Sequence, residues 1–163
     1  MALIKDDPYT PELVVDGHSQ LVGNDLWQAK NEIQKAAVGV KTEIAIERGS
    51  QDTVGPQRLK VTVGKLQGNT GNDVAEVWLA VTEDGLHSSV SRGENAGHVL
   101  QHVATLRSLQ KIGVADGSPV SFIGSPVVKL NSHWDVEHLH VTVFVQKKRS
   151  REILGAASVR IVG

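Results

Sequence analysis

The sequence predicts an α+β, β-dominated fold: an antiparallel β-sandwich over residues 39–163, preceded by a strand–strand–helix segment over residues 1–38. Three observations carry this. Beyond Gly39, apolar residues recur with a period of two in short runs separated by glycine-rich turns, the pattern of half-buried antiparallel strands. Before Gly39, one stretch has helical spacing instead. The chain of 163 residues, 40% of them hydrophobic and 16 of them glycine, is long and apolar enough for a real core.

The elements follow in order. Glu12 to Asp16 is a short apolar strand closed by the turn pair Asp16-Gly17, and a second strand over Gln20 to Val22 stops at Gly23. Asn24 and Asp25 are good N-cap residues, and Asp25 with Gln28 fits a weak capping box. Leu26, Ala29, Ile33 and Ala36 then repeat at helical spacing until Gly39. Val40, Thr42, Ile44 and Ile46 mark the first sandwich strand, and Leu59, Val61 and Val63 the second. Ala75 to Thr82 forms the third, His138 to Gln146 alternates again, and Ile153 to Val162 closes the chain. The stretch Gly97 to Ile112 suits either a helix or a long bent strand, and strand is preferred. Gly117-Ser118-Pro119 and Gly124-Ser125-Pro126 are turns.

Composition excludes several function classes. A net charge of −1 provides no electrostatic footprint for nucleic acid. No apolar run approaches a membrane span, and Met1 to Pro8 lacks the apolar region of a signal peptide. With no cysteine, the chain itself holds no disulfide, thiolate nucleophile or Cys-ligated zinc. There is no P-loop, no G-x-G-x-x-G and no G-x-S-x-G elbow. The basic run Lys147 to Arg151 reads as a solvated hairpin turn. No cofactor is expected.

The seven histidines are the natural metal candidates. His98 and His102 with Glu94 would share one helix face, but on a strand the two histidines stand some 13 Å apart and cannot share an ion. His133, His138 and His140 could cluster; the preferred reading is the polar face of a strand. Two other stretches are candidate binding sites. Tyr9-Thr10-Pro11 precedes an apolar strand, where a cis bond before Pro11 would offer a sheet edge to an extended peptide. The polar loop holding Arg92, Glu94 and Asn95 is either braced by its own Arg–Glu pair or a binding loop, and bracing is preferred.

These stretches carry a family resemblance. Pro8 to Gly17 (PYTPELVVDG), Val22 to Asp25, Arg92 to Gly97 (RGENAG), Leu106 to Leu109, Ile112-Gly113, Val143 to Gln146 and Ile153 to Ala157 together resemble the exported, thioredoxin-like bacterial family called domain of unknown function 1223. The resemblance implies that Thr10-Pro11 is a thioredoxin-type cis-proline junction. It also implies that residues 12–37 are the last strand, strand and helix of a thioredoxin-like half, with the sandwich following. The family's Cys-x-x-Cys lies upstream of the Tyr-Thr-Pro stretch, and here Met1 stands only eight residues before Tyr9. The expectation is therefore a partial thioredoxin-like segment with no matching redox residues. It implies export, which the start of the chain does not echo.

Two strands and one helix cannot cover their own sheet, and an apolar edge strand is a template for pairing. The expected function is thus a non-catalytic binding or assembly module that self-associates through residues 1–38, with a peptide or protein as the other candidate partner. The alternatives are enzymatic or metal-based: a fragment of a thiol-disulfide oxidoreductase whose catalytic half is absent, or a histidine-based metal site at His133, His138 and His140.

Overall fold

The computed structural model describes residues 11–49, 55–68, 71–93 and 95–162. Strands β1 (Glu12–Val15) and β2 (Ser19–Val22) pair antiparallel, with Glu12 opposite Val22 and Val15 opposite Ser19. The turn between them has φ of 51° at Asp16 and 78° at Gly17, a left-handed pair that the Asp-Gly sequence tolerates. Helix α1 (Leu26–Val38) begins where expected, because the Asp25 side chain accepts from the Gln28 N–H at 2.9 Å and fills the N-cap.

The remaining strands are β3 (Ile44–Arg48), β4 (Gln57–Gly64), β5 (Ala75–Glu83), β6 (Leu86–Ser89), β7 (Val99–His102), β8 (Thr105–Ala115), β9 (Val120–Gly124), β10 (Val127–Val128), β11 (Leu139–Lys147) and β12 (Ile153–Arg160). In one sheet β4 is central, with β3 on one side and β9 and β10 sharing the other. The second sheet runs β12-β11-β5-β8, and β6 and β7 form a separate hairpin. All pairings are antiparallel. The fold is therefore β-dominated and antiparallel, with α1 as the single α-helix among the described residues.

Alternation builds the core. Leu59, Val61 and Val63 of β4 meet Val77, Leu79 and Val81 of β5 and Leu139, Val141, Val143 and Val145 of β11 in one buried cluster. The sheets close where β12 approaches β3. Thr42 donates its N–H to the Leu154 carbonyl at 2.7 Å, and a Cβ on Gly155 would lie 2.2 Å from the Thr42 oxygen. Only glycine admits that backbone approach.

Several expectations change. The first sandwich strand starts at Ile44, not Val40. Val40 is solvent-exposed, while Thr42 is buried by its bond to β12 rather than by strand alternation. The stretch 97–112 contains strand and no helix, broken into β7 and β8 at Ala104, where φ is 51°. Strands β9 and β10, which flank the Gly124-Ser125-Pro126 turn, have too few residues for a periodic signal. The basic turn is clamped by Asp73, which accepts from the N–H groups of Arg149 at 2.7 Å and Ser150 at 2.9 Å. Burial raises the Asp73 pKa, but those bonds outweigh it and hold the carboxyl below its usual range.

Candidate binding surface at the N-terminal hairpin

The β1–β2 hairpin presents two faces. Alternation places Leu13, Val15, Ser19 and Leu21 on one and Glu12, Val14, Gln20 and Val22 on the other. Helix α1 covers the first face, burying Leu21 and Ala29. Glu32 of the helix accepts from Lys35 and the Ser19 hydroxyl, which draw its pKa down.

The second face turns toward the outer surface of the β12-β11-β5-β8 sheet. Between them runs a groove of about 480 Å³, in which Val14 faces Trp78, Leu109, Phe144 and Ile153, with Gln146 toward the hairpin tip. Trp78 and Phe144 are direct cross-strand partners, so their rings form one apolar floor. The tip is anchored at three points. The Asp16 carbonyl accepts from the Ile153 N–H at 2.8 Å, and the Asp16 carboxylate pairs with Lys41. Gly17 lies so close to the Arg151 carbonyl that a Cβ would sit 1.9 Å from that oxygen. Gln146 Nε2 donates to the same carbonyl at 2.8 Å.

The apolar stripe of α1 is covered only in part: Ala29 is buried, but Leu26 is 73% exposed and Ile33 52%, and off the stripe Trp27 is 77% and Val38 86% exposed. The helix packs its Ala29 side inward because the hairpin is too narrow to cover a full apolar stripe. Among the described residues no strand pairs with the other edge of β1. The Pro11 carbonyl accepts from Gly23, so alternation directs the backbone groups of Glu12 and Val14 away from β2.

Among the residues singled out from sequence, Tyr9, Thr10 and Glu94 lie outside the described residues. Pro11 leads directly into β1, and its carbonyl bond to the Gly23 N–H measures 2.8 Å. Arg92 and Asn95 are exposed in the turn that joins β6 to β7. That turn closes on its own backbone, through Gly97 N–H to Val90 O at 2.8 Å and His98 N–H to Asn95 O at 3.1 Å. The hairpin tip docks on Gln146, which pairs with Glu76 of β5, while the β6–β7 hairpin leaves the sheet beyond Glu83, so the tip and that turn stand at opposite ends of β5.

The histidines are drawn to separate partners. His138 Nδ1 lies 2.8 Å from Asp135 Oδ2, His140 Nε2 lies 3.3 Å from Asp84 Oδ2, and His102 Nε2 contacts Ser88 Oγ at 2.9 Å. His133 sits in a turn where its backbone N–H bonds Asn131 Oδ1. Among the described residues no three His, Asp or Glu side chains are placed to hold one metal ion. Beside these pairs, buried Glu83 takes Arg107 Nε at 2.6 Å and the Asp135 N–H at 3.1 Å. Burial pushes the Glu83 pKa up, and these donors more than reverse it.

Sequence reasoning missed the groove residues Trp78, Leu109, Phe144 and Ile153. A signal existed: Trp78 and Phe144 stand at the outward phase of strands β5 and β11, where a two-layer sandwich would carry polar residues. Large aromatics in that phase indicate a third layer.

The model of the family described as Protein of unknown function (DUF1223) matches residues 1–146. No curated protein matches the chain. Among solved structures, a domain of the outer membrane lipoprotein Omp28 from Porphyromonas gingivalis is similar at 17% identity and a TM-score of 0.41, covering 74% of this chain and 95% of that one. A β-glucosidase from Kluyveromyces marxianus is similar at 17% identity and a TM-score of 0.29, covering 74% of this chain and 14% of the glucosidase.

Proposed function

The chain belongs to the DUF1223 family, and from that premise we propose that it is a non-catalytic binding or assembly module working through its N-terminal hairpin and helix. In this reading residues 1–38 are the contact segment and residues 39–163 the sandwich that carries it. The observation that supports it is the apolar surface α1 leaves uncovered, since Leu26, Trp27, Ile33 and Val38 are all more than half exposed. Scattered apolar residues are ordinary on a surface, but four on one thirteen-residue helix are an interaction signal. The far edge of β1, unpaired among the described residues, adds backbone donors and acceptors that an extended strand can meet. The partner in this reading is a second copy of the chain, with an extended peptide as the other candidate. The strand–strand–helix order also fits kinship with exported thioredoxin-like proteins, and Tyr9, Thr10 and Pro11 then belong to the same contact segment.

Light scattering across a concentration series tests the proposal. The wild type should show a mass that rises toward a multiple of 17.5 kDa, and Leu26→Ser with Trp27→Ser should shift that rise to higher concentration by about tenfold or more. A monomer at every concentration, with the β1 amides protected from hydrogen exchange and no strand-adding peptide bound, would refute it.

A further inference from the structure

The turn between β11 and β12 concentrates cations that the fold does not use. Lys147 is engaged by Glu152 at 2.6 Å, but Lys148, Arg149 and Arg151 form no salt bridge among the described residues. Lys148 and Arg149 are exposed and Arg151 is half-buried. Backbone bonds gather neighbouring loops at this end of the sandwich: Lys148 N–H to Val74 O at 2.8 Å, Thr42 N–H to Leu154 O at 2.7 Å, and Gln67 N–H to Thr42 Oγ1 at 2.9 Å. Here Lys41, Lys65, Lys147, Lys148, Arg149 and Arg151 stand against Asp16, Glu43, Asp73 and Glu152, an excess of two positive charges on a chain whose net charge is −1. Three of those carboxylates are occupied: Asp16 by Lys41, Glu152 by Lys147, and Asp73 by the N–H groups of Arg149 and Ser150.

The turn is also held in a costly shape. Arg151 has φ of 68°, a left-handed conformation that glycine or asparagine takes more easily. Its carbonyl is fixed by Gln146 Nε2 at 2.8 Å. A cation kept where glycine would relax the backbone is an outlier of the kind that marks functional positions. Two exposed valines adjoin the turn. Val74, 47% exposed, gives its carbonyl to Lys148. Val40, 78% exposed, precedes Lys41, whose partner Asp16 is bonded to Ile153 just past the turn.

From this we infer that the β11–β12 turn docks on the surface of an anionic lipid bilayer, with Lys148, Arg149 and Arg151 meeting head-group phosphates and Val40 and Val74 entering the interface beneath them. Charge complementarity sets the partner, since each cation near a negatively charged leaflet gains about fivefold in affinity. The clamped backbone keeps the ordering cost of docking low. The valines decide between anionic partners. Apolar side chains beside basic ones fit a bilayer interface, whereas a nucleic acid strand is met by aromatic side chains that stack on its bases, and residues 146–153 include none. This surface leaves out Leu26, Trp27 and Ile33 and does not depend on self-association.

The test is sedimentation of the full chain with vesicles of phosphatidylcholine alone and of phosphatidylcholine mixed equally with phosphatidylglycerol. The chain should bind the mixed vesicles about tenfold tighter or more, and raising salt from about 0.05 to about 0.5 M should remove most of that gain. Lys148→Gln with Arg149→Gln should weaken binding to the mixed vesicles by about 25-fold. Val40→Ser should weaken it about threefold or more, as burial of an apolar side chain requires. Unchanged melting temperatures and unchanged exchange of the Val143 amide establish that the variants are folded. The inference is overturned if both vesicle types bind alike, if the double variant binds as the wild type does, or if Val40→Ser changes nothing. Duplex DNA or RNA binding more tightly than the mixed vesicles would overturn it too, as would complete displacement by glycerol phosphate at equal phosphate concentration. Light scattering without vesicles reads the assembly proposal separately.

Discussion

Substituting Gly17 by Ala isolates the joint between the hairpin and the sandwich. Gly17 has φ of 78°, a left-handed conformation that costs an L-residue about 1–2 kcal/mol. The larger effect is contact: the new Cβ would be placed 1.9 Å from the Arg151 carbonyl oxygen, so the tip must retreat by more than an ångström. That retreat breaks the Ile153 N–H to Asp16 O bond of 2.8 Å and disturbs Gln146 Nε2 to Arg151 O, also 2.8 Å. Each contributes about 1 kcal/mol net. The reduced entropy of the unfolded chain offsets less than ~1 kcal/mol of this. The hairpin should therefore undock by about 3 kcal/mol, a change of roughly 100-fold in its opening equilibrium. Hydrogen exchange resolved by residue is the assay: the Ile153 amide should exchange about 100-fold faster, while Val143, in the middle of β11, should not change. Gly17→Asn tests the division of the effect. Asparagine tolerates the left-handed conformation but keeps the Cβ, so most of the loss should persist. A folded Gly17→Ala variant whose Ile153 amide exchanges as in the wild type would refute the close-approach argument.

Two further predictions concern the sandwich. Arg107→Met leaves Glu83, whose side chain is only 4% exposed, without its ion-pair partner; since Arg107 is itself 28% exposed, the loss at pH 7 should be about 2 kcal/mol, below the ~3–5 kcal/mol of a fully buried pair. Because the folded pKa of Glu83 lies below its ordinary value of 4.5, its contribution is complete above that pH and is lost as pH falls through the folded value. Chemical denaturation of the two proteins should therefore differ most at neutral pH and converge in acid; a gap that widens below pH 4.5 would contradict the pairing. Gly155→Ala drives a Cβ to 2.2 Å from the Thr42 oxygen and should destabilise by about 2–3 kcal/mol, a fall in melting temperature of roughly 5–10 °C, with an unchanged melting temperature as the contrary result.

Much of the fold was legible because its signals are local. The Asp16-Gly17 turn, the Asp25 N-cap and the alternation of β4, β5 and β11 each follow from a few neighbouring residues. What was not legible depended on partners distant in sequence. Thr42 looked like a core-facing strand position but is buried by Leu154. Strand β10 has two residues and exists only because β4 is there to pair with. The histidines of His133 to His140 looked like a potential cluster because sequence spacing cannot show that Asp84 and Asp135 claim His140 and His138 separately.

The N-terminal segment shows the same division most clearly. By itself the sequence determined that residues 26–38 form a helix and that residues 12–22 form a hairpin, since periodicity, capping and turn chemistry act over a few residues. It did not determine which side of either element is covered. Leu26 and Ile33 belong to the helix's apolar stripe yet face outward, and Trp78 and Phe144 belong to the sheet's outer phase yet lie beneath the hairpin. Burial is a property of how layers stack. Only the docking of the hairpin tip against Arg151 and Ile153, more than 130 residues away, decided which apolar surfaces meet one another and which remain exposed.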